Sequence, residues 1–382
     1  MSGPQIGFAC LWDRADPRRT WSYTPWSLRE AMRRYATVTD VGINLAAPTE
    51  WALKLTHLRV RNGRPTSTWR ESPLTDWITQ RHLRRRVAAS GCTAVLQIQD
   101  LALLDRPYFL YQDFSFDAIL DLVDQQGRLP TGLMVAGMSR DDLRRHRDRQ
   151  RRIYDRATGL VVMSRWLAER LTTLSGVPAE KVHVVNPGRS ALVTDAPLPV
   201  RERPRRRLLL VGKGFEGKGG DLVVAALAVL RREVDPHITL TVVGPTTWPL
   251  LGDVPDGVHF LGALPPAEVA RLYDTHDLLV MPSRLEGFGI VFVEALARGL
   301  PCIARNAFAM PELIEPGVNG DLISQDDPVV LATTIAKVLD NDHVYEQCRA
   351  RADAVAAHFT WDRAARQMIE IITGATGGAR AG

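Results

Sequence analysis

Lysine is scarce in this chain: of 48 basic residues only 5 are Lys and the other 43 are Arg. Cysteine is scarce too, with 4 residues (Cys10, Cys92, Cys302 and Cys348) and no CxxC pair. That usage speaks against a zinc site and against a disulfide framework. No apolar run approaches the roughly 18 residues of a membrane-spanning helix, and no basic-then-apolar leader opens the sequence. The expectation is a cytoplasmic protein that does not span a membrane. A net charge of only +5 over 382 residues argues against a general polyanion binder. No nucleic-acid fold signature accompanies the arginines, so nucleic acid is not an expected partner. The one Asp-x-Asp triplet, Asp340-Asn341-Asp342, falls at the end of a predicted helix, a poor place for a metal.

What is present is a soluble α/β pattern. Apolar residues make up 45% and charged residues 24%, and the length exceeds one ordinary core. Short apolar runs alternate with helix-like stretches, as in parallel α/β folds. Strands are predicted at 6–11, 94–97, 108–111, 159–163, 208–211, 239–243, 258–260, 278–281 and 301–304. Helices are predicted at 25–35, 141–155, 165–175, 222–232, 265–274, 290–298, 328–341 and 364–372. The Pro- and Arg-rich stretch 194–207 (TDAPLPVRERPRRR) reads as a linker, the alternative being a surface loop inside one domain. The expected domains are then 1–193 and 208–359, with 360–382 a final helix and a disordered small-residue tail from 374.

Two of the five lysines, Lys213 and Lys218, fall in one stretch, GKGFEGKGGD at 212–221, between a predicted strand and a predicted helix. Gly212, Gly217 and Lys218 reproduce most of a P-loop. Gly219 stands where that loop needs a Ser or Thr for magnesium. A second stretch, LLVMPSRLEGFGIVFVEALARGLP at 278–301, runs from a strand through Glu286-Gly287-Phe288-Gly289 into a helix at Ile290. Glycines before a helix let backbone N–H groups approach an anion closely. Ligands bind at the carboxyl ends of strands in open α/β sheets. Glu286 and Glu294 could face one crevice there. A solvated helix face for the two Glu, and plain turns for the glycines, are the bland alternatives.

The order of these elements is more specific than any one of them. Gly212 with lysines five apart is followed by Val243-Gly244-Pro245, then Pro282-Ser283 and Glu-Gly-Phe-Gly. Glu294-Ala295, Gly299-x-Pro301, Pro311-Glu312-Leu313-Ile314 and Gly317-x-x-Gly320 complete the series. From about Leu208 to Trp361 it closely resembles the donor-binding half of retaining glycosyltransferases of family 4, which have the GT-B fold. That resemblance implies two Rossmann-like domains facing each other across a deep cleft, and a final helix that returns to the first domain. It implies a retaining, metal-independent hexosyl transfer from a nucleotide-diphosphate sugar, a co-substrate, with no cofactor. The hydroxyl acceptor would be a glycan, a lipid-linked sugar or a small molecule. Charge on the leaving phosphate would then be met by Lys213, Lys218 and backbone N–H groups. Lys213 occupies a position where the family usually has Arg, keeping the charge without the planar fork. By the same resemblance Glu294 accepts from the ribose hydroxyls and Glu286 contacts the sugar. The backbone of Phe288, Gly289 and Ile290 holds phosphate or sugar, and the base lies near Gly244 and Leu264.

The first half resembles the family more loosely. Ser22–Leu28 (SYTPWSL) is similar to a Ser-Gly-Thr-Pro segment of some members, with Tyr23 where glycine is commoner. Asp113 stands near the position of a family histidine. Six of the nine tryptophans lie in the first 77 residues. Trp12, Trp21 and Trp26, with Thr24, are the best placed to meet a sugar acceptor, core packing being the commoner role of any one tryptophan. Two basic runs, Arg81 with Arg84 to Arg86 and Arg144 to Arg152, suit either an anionic membrane or a solvated helix face. Three other functions stay open: a sugar-nucleotide epimerase or phosphorylase on the same fold, a non-catalytic sugar-nucleotide-binding subunit, and, less well supported, a P-loop NTPase.

Overall fold

The computed structural model describes residues 5–61, 64–67, 69, 72–127, 138–190 and 197–378. Among these, residues 5–127, 138–188 and 361–378 form one compact unit, and residues 189–360 a second.

The first unit runs β1 (Gln5–Ala9), α1 (Thr24–Met32), β2 (Thr37–Asp40), α2 (Ala47–Thr56), β3 (Leu58–Arg61), β4 (Arg64–Ser67), α3 (Pro73–Ser90), β5 (Ala94–Ile98), β6 (Tyr108–Gln112), α4 (Phe116–Gln126), α5 (Arg140–Arg156), β7 (Gly159–Val162), α6 (Arg165–Thr173) and β8 (Val182–Val184). Six of these strands form one parallel sheet in the order β2-β1-β5-β6-β7-β8, while β3 and β4 pair as a hairpin. β5 and β6 are buried along their whole length, the mark of a sheet covered on both faces. Four helices start on a serine: Ser72, Ser115, Ser139 and Ser164 each accept from a backbone N–H of the first turn. Each such cap stabilises by about 1 kcal/mol.

The second unit repeats the plan with β9 (Arg207–Val211), α7 (Gly220–Glu233), β10 (Thr239–Val243), β11 (Val258–Gly262), α8 (Pro266–Thr275), β12 (Leu278–Val280), α9 (Ile290–Leu296), β13 (Cys302–Arg305), β14 (Gly320–Ile323), α10 (Pro328–Leu339) and α11 (Asp342–His358). Its parallel sheet has the order β11-β10-β9-β12-β13-β14. The chain leaves β9 toward β10 on one side and returns to β12 on the other, so the crevice opens where β9 and β12 end. α12 (Trp361–Gly378) follows and belongs to the first unit. It packs on α1, with Arg34 Nη1 2.9 Å from Asp362 Oδ1.

The sequence pattern does not announce β3 and β4, nor β2, β8 and β14, which are three of the four edge strands of the two sheets. Those three edge strands have three or four residues, half-buried for the most part, too short for a periodic signal. α2, α4 and α11 also escape the pattern. The final helix passes Gly374 and ends at Gly378, so the small-residue tail is helical over that length. Thr376 Oγ1 donates to the Ile372 carbonyl there. Residues 379–382 of that tail and 194–196 of the linker reading lie outside the described residues.

The rest of the linker reading, 197–207, packs into the second unit. Arg201 is 7% exposed. Its guanidinium donates to the carbonyls of Tyr273 (2.6 Å), His276 (2.7 Å) and Gly299 (2.8 Å) and, more weakly, Arg298 (3.2 Å). His276 is buried beside it, Nδ1 2.8 Å from the Leu272 carbonyl and Nε2 2.8 Å from Thr241 Oγ1. Burial holds this imidazole below its ordinary pKa of 6.5. Between the lowered value and 6.5 the unfolded chain therefore binds more protons than the folded one. Stability should fall as the pH drops through 6.5. Denaturant titrations between about pH 5 and 7 check this, and His276→Gln should flatten the slope.

Candidate functional site

The site is built from the loops that follow β9 and β12. Gly212 donates to the Val243 carbonyl (2.8 Å) and turns the chain away from the sheet. Beyond it the loop closes on itself: Lys218 donates to Gly214 O (2.9 Å), Gly219 to Glu216 O (3.0 Å) and Gly220 to Phe215 O (2.8 Å). A P-loop aims such N–H groups at phosphate; here they are already engaged. Gly219 has φ 77°, and a Cβ there would stand 2.7 Å from the Pro282 carbonyl oxygen. The residue is glycine because the two loops meet backbone to backbone at this point.

Arg284 ties the loops together. Its N–H donates to Gly217 O (2.8 Å) and its guanidinium to Glu216 O (2.6 Å). The same guanidinium pairs with Asp221 (2.7 and 2.9 Å) and Asp326 (2.7 Å). Hydrogen bonding to Asp221 raises its already high pKa further. Burial pushes the Asp326 carboxyl up, but Arg284 and Arg305 outweigh this and hold it below its ordinary value. Arg305 also donates to the carbonyls of Ser283 (3.0 Å) and Pro282 (3.2 Å). The sequence reading passes over Arg284 and Arg305. For Arg284 the available signal was an arginine inside the Pro-Ser-x-x-Glu-Gly loop itself.

This clamp brings two predicted residues together. Lys218 Nζ lies 2.6 Å from Glu286 Oε2, both side chains mostly covered. Ser283 Oγ stands 3.4 Å from the same oxygen. Past Glu286, Gly287, Phe288 and Gly289 are buried, and Phe288 packs its ring against Phe359 at 6.0 Å. Gly289 takes φ 94°, and a Cβ on it would meet the Phe292 ring at 2.6 Å. Among the described residues, the N–H groups of Gly287, Phe288, Gly289, Ile290 and Val291 have no hydrogen-bond acceptor, and the ladder of α9 begins with Phe292 donating to Gly289 O.

Glu294 is half-buried on α9. Oε2 accepts from Tyr273 Oη (2.8 Å) and Oε1 from the Ser190 N–H (3.2 Å). Burial raises its pKa, with those two donors acting the other way, and burial holds the Tyr273 phenol well above its ordinary value. A carboxylate has about four acceptor positions, so two stay open. Lys213 is exposed on the β9 loop, with no ion-pair or hydrogen-bond partner among the described residues. Gly244 ends β10 and donates to Gly262 O (2.8 Å). Leu264 is partly buried against the core behind β12.

The first-unit candidates are more dispersed. Trp12 is 7% exposed and donates from Nε1 to Asp40 Oδ1 (3.1 Å). The Arg29 guanidinium lies over Trp12 (4.8 Å) and over Trp26 (4.4 Å). Trp12 also lines a cavity of about 140 Å³ with Asp13, Arg14, Asn44, Glu50 and Trp69; Trp21, Thr24, Trp26 and Asp113 do not. Thr24 is 2% exposed, and Asp113 accepts from Gln99 Nε2 (3.1 Å). Trp21, Ser22 and Tyr23 all have positive φ (41°, 54° and 68°), a conformation costly for residues with a Cβ. Tyr23 thus takes a left-handed backbone of the kind that glycine adopts freely.

Among the described residues no group of three or more His, Cys, Asp or Glu gathers as a metal site. Both carboxylates of the Asp-x-Asp triplet are engaged, Asp340 by Arg203, and Asp342 by Arg203 (3.0 Å) and Arg205 (2.8 Å).

Two parallel six-stranded sheets with their covering helices give this chain the GT-B fold. Sucrose-phosphate synthase from Thermosynechococcus elongatus superposes with a TM-score of 0.71 at 18% identity, over 98% of this chain and 100% of that one. HepE of Anabaena, solved in complex with UDP and glucose, gives 0.62 at 18%, over 97% and 99%. Residues 199–355 match the family model of the glycosyl transferases group 1. A D-inositol 3-phosphate glycosyltransferase of Jonesia denitrificans is 31% identical over 247 residues, 58% of this chain and 58% of its own length. The chain therefore matches little more than half the length of such curated relatives.

Proposed function

We propose that the chain transfers a hexose-type sugar from a nucleotide diphosphate to an acceptor hydroxyl, with retention and without a metal ion. The observation that carries this reading is the row of unengaged N–H groups from Gly287 to Val291 beside the Lys218–Glu286 pair. In glycosyl transfer, negative charge builds on the departing diphosphate. Fixed N–H dipoles and a cation aimed at that charge lower the barrier without reorganising. The diphosphate lies along this row and draws Lys218 from Glu286. Glu286, with Oε1 open, then takes the sugar hydroxyls, and Glu294 the ribose. Lys213 supplies a second, exposed cation. Retention follows if the leaving phosphate takes the acceptor's proton on the same face, so no second carboxylate is required, unlike a glycosidase. The D-inositol 3-phosphate glycosyltransferase of Jonesia denitrificans and HepE with its bound UDP and glucose support a nucleotide-sugar donor. The acceptor is a sugar-bearing, lipid-linked or small-molecule hydroxyl.

Calorimetry with UDP-, GDP-, ADP- and TDP-sugars in EDTA tests the proposal. At least one sugar nucleotide should bind. Glu294→Ala should weaken it by about 10–100-fold, the loss of one or two charge-assisted hydrogen bonds. Binding of ATP with magnesium and of no sugar nucleotide would reject the reading. An unchanged affinity in Glu294→Ala would reject the ribose role.

A further inference from the structure

The two basic runs of the first unit differ once their partners are known. On α5 three outward arginines are neutralised locally, Arg144 by Asp141 (3.2 Å), Arg147 by Asp148 (2.7 Å) and Arg145 by Asp142, which leaves Arg152 near its end. On α3 the outward arginines are not. The helix buries Thr75, Thr79, Leu83 and Val87, which leaves Leu74, Trp77, Arg81 and Arg85 aligned on another face at spacings of three and four. Leu74 is 48% and Trp77 58% exposed, and the Arg81 guanidinium lies 5.6 Å over the Trp77 ring. Trp77, Arg81 and Arg85 line a groove of about 570 Å³ that α5 closes with Arg149 and Arg152.

The inner arginines hold the groove open. Arg84 Nε donates to Leu103 O (2.9 Å), and Arg149 pairs with Asp100 (2.8 Å) and with Asp76 (3.4 Å), the carboxylate of the lining. Arg81, Arg85 and Arg152 have no hydrogen-bond or ion-pair partner among the described residues. Three uncompensated cations thus stand beside an exposed indole. α2 also exposes large apolar side chains, Trp51 and Leu55 at 62% and 63%. Trp69 links the two helices: Lys54 of α2 lies 5.9 Å from its ring, and its carbonyl accepts from Thr75 Oγ1 of α3 (2.5 Å).

We infer that this face seats the protein on an anionic lipid surface. A soluble anion would use the guanidinium groups but has no need of Trp77, Leu74, Trp51 and Leu55. A bilayer interface uses both, cations on the headgroups and indole at the acyl boundary. The interaction is peripheral: among the described residues no helix is long and apolar enough to cross a membrane.

Sedimentation of the full chain with phosphatidylcholine vesicles, with and without phosphatidylglycerol, tests the inference. The chain should pellet with the anionic vesicles only. Each cation near such a surface is worth about fivefold in partitioning, so the triple variant Arg81→Gln, Arg85→Gln, Arg152→Gln should lose on the order of 100-fold. Trp77→Ala should lose several-fold, with sugar-nucleotide binding unchanged in both variants. No pelleting with anionic vesicles, or equal pelleting of the triple variant, would overturn it. So would saturable binding of inorganic phosphate to the groove in a chain that ignores vesicles, which would assign the groove to a soluble anion.

Discussion

Lys218→Ala is expected to lower kcat by about 10²–10³-fold, the effect of removing one preorganised charge from a developing anion. The ground-state cost is small by comparison. The Lys218–Glu286 pair is 25% and 12% exposed, and partly exposed pairs contribute on the order of 1 kcal/mol. The variant should therefore fold, since the loops around it are held by Arg284 and by backbone contacts rather than by Lys218. Turnover is measured with whichever sugar nucleotide binds in calorimetry. Lys218→Arg should recover part of the rate, because the charge stays while its geometry changes. A Lys218→Ala enzyme with near wild-type kcat would remove Lys218 from the reaction. It would leave the backbone N–H row as the main support of the leaving group.

The largest loss of stability is expected at a residue with no part in the chemistry. Arg201→Ala should destabilise the second unit by about 3–5 kcal/mol. The guanidinium satisfies carbonyls of Tyr273, His276, Arg298 and Gly299, and an unpaired buried polar group costs about 1–3 kcal/mol. Arg201→Lys should recover little, because an ammonium has three donors and no fork to span four carbonyls. Chemical denaturation followed by intrinsic tryptophan fluorescence measures both variants. A loss below about 1 kcal/mol, the level of a surface substitution, would show that the stretch 197–207 is held by other contacts.

Arg201 also marks a limit of sequence reading. Prolines and arginines in a run with few apolar residues look like an exposed connector, because composition reports what a segment cannot bury. A single arginine that finds several carbonyls reverses that judgement, and only the fold brings those carbonyls together. The same holds for Arg284 and Arg305. Their partners Asp221 and Asp326 stand 63 and 42 positions from Arg284, and Asp326 stands 21 positions from Arg305, distances at which no local pattern exists. The α3 and α5 basic runs look alike in one dimension. The structure separates them by showing which arginines already have carboxylates.

The sequence alone determined the alternating α/β plan, the position of most central strands and the Gly212–Asp221 and Glu286–Ile290 loops as strand-to-helix turns. These features are local: a buried parallel strand must be a short apolar run, and a turn against another backbone must be glycine. Tertiary structure decided why Gly219 is glycine, namely the Pro282 carbonyl 2.7 Å from where its Cβ would be. It also decided that Lys218 faces Glu286 and that Glu294 is shared with Tyr273 and Ser190. Those facts depend on β12 returning beside β9, a pairing of residues about 70 apart, and no short stretch of sequence encodes it.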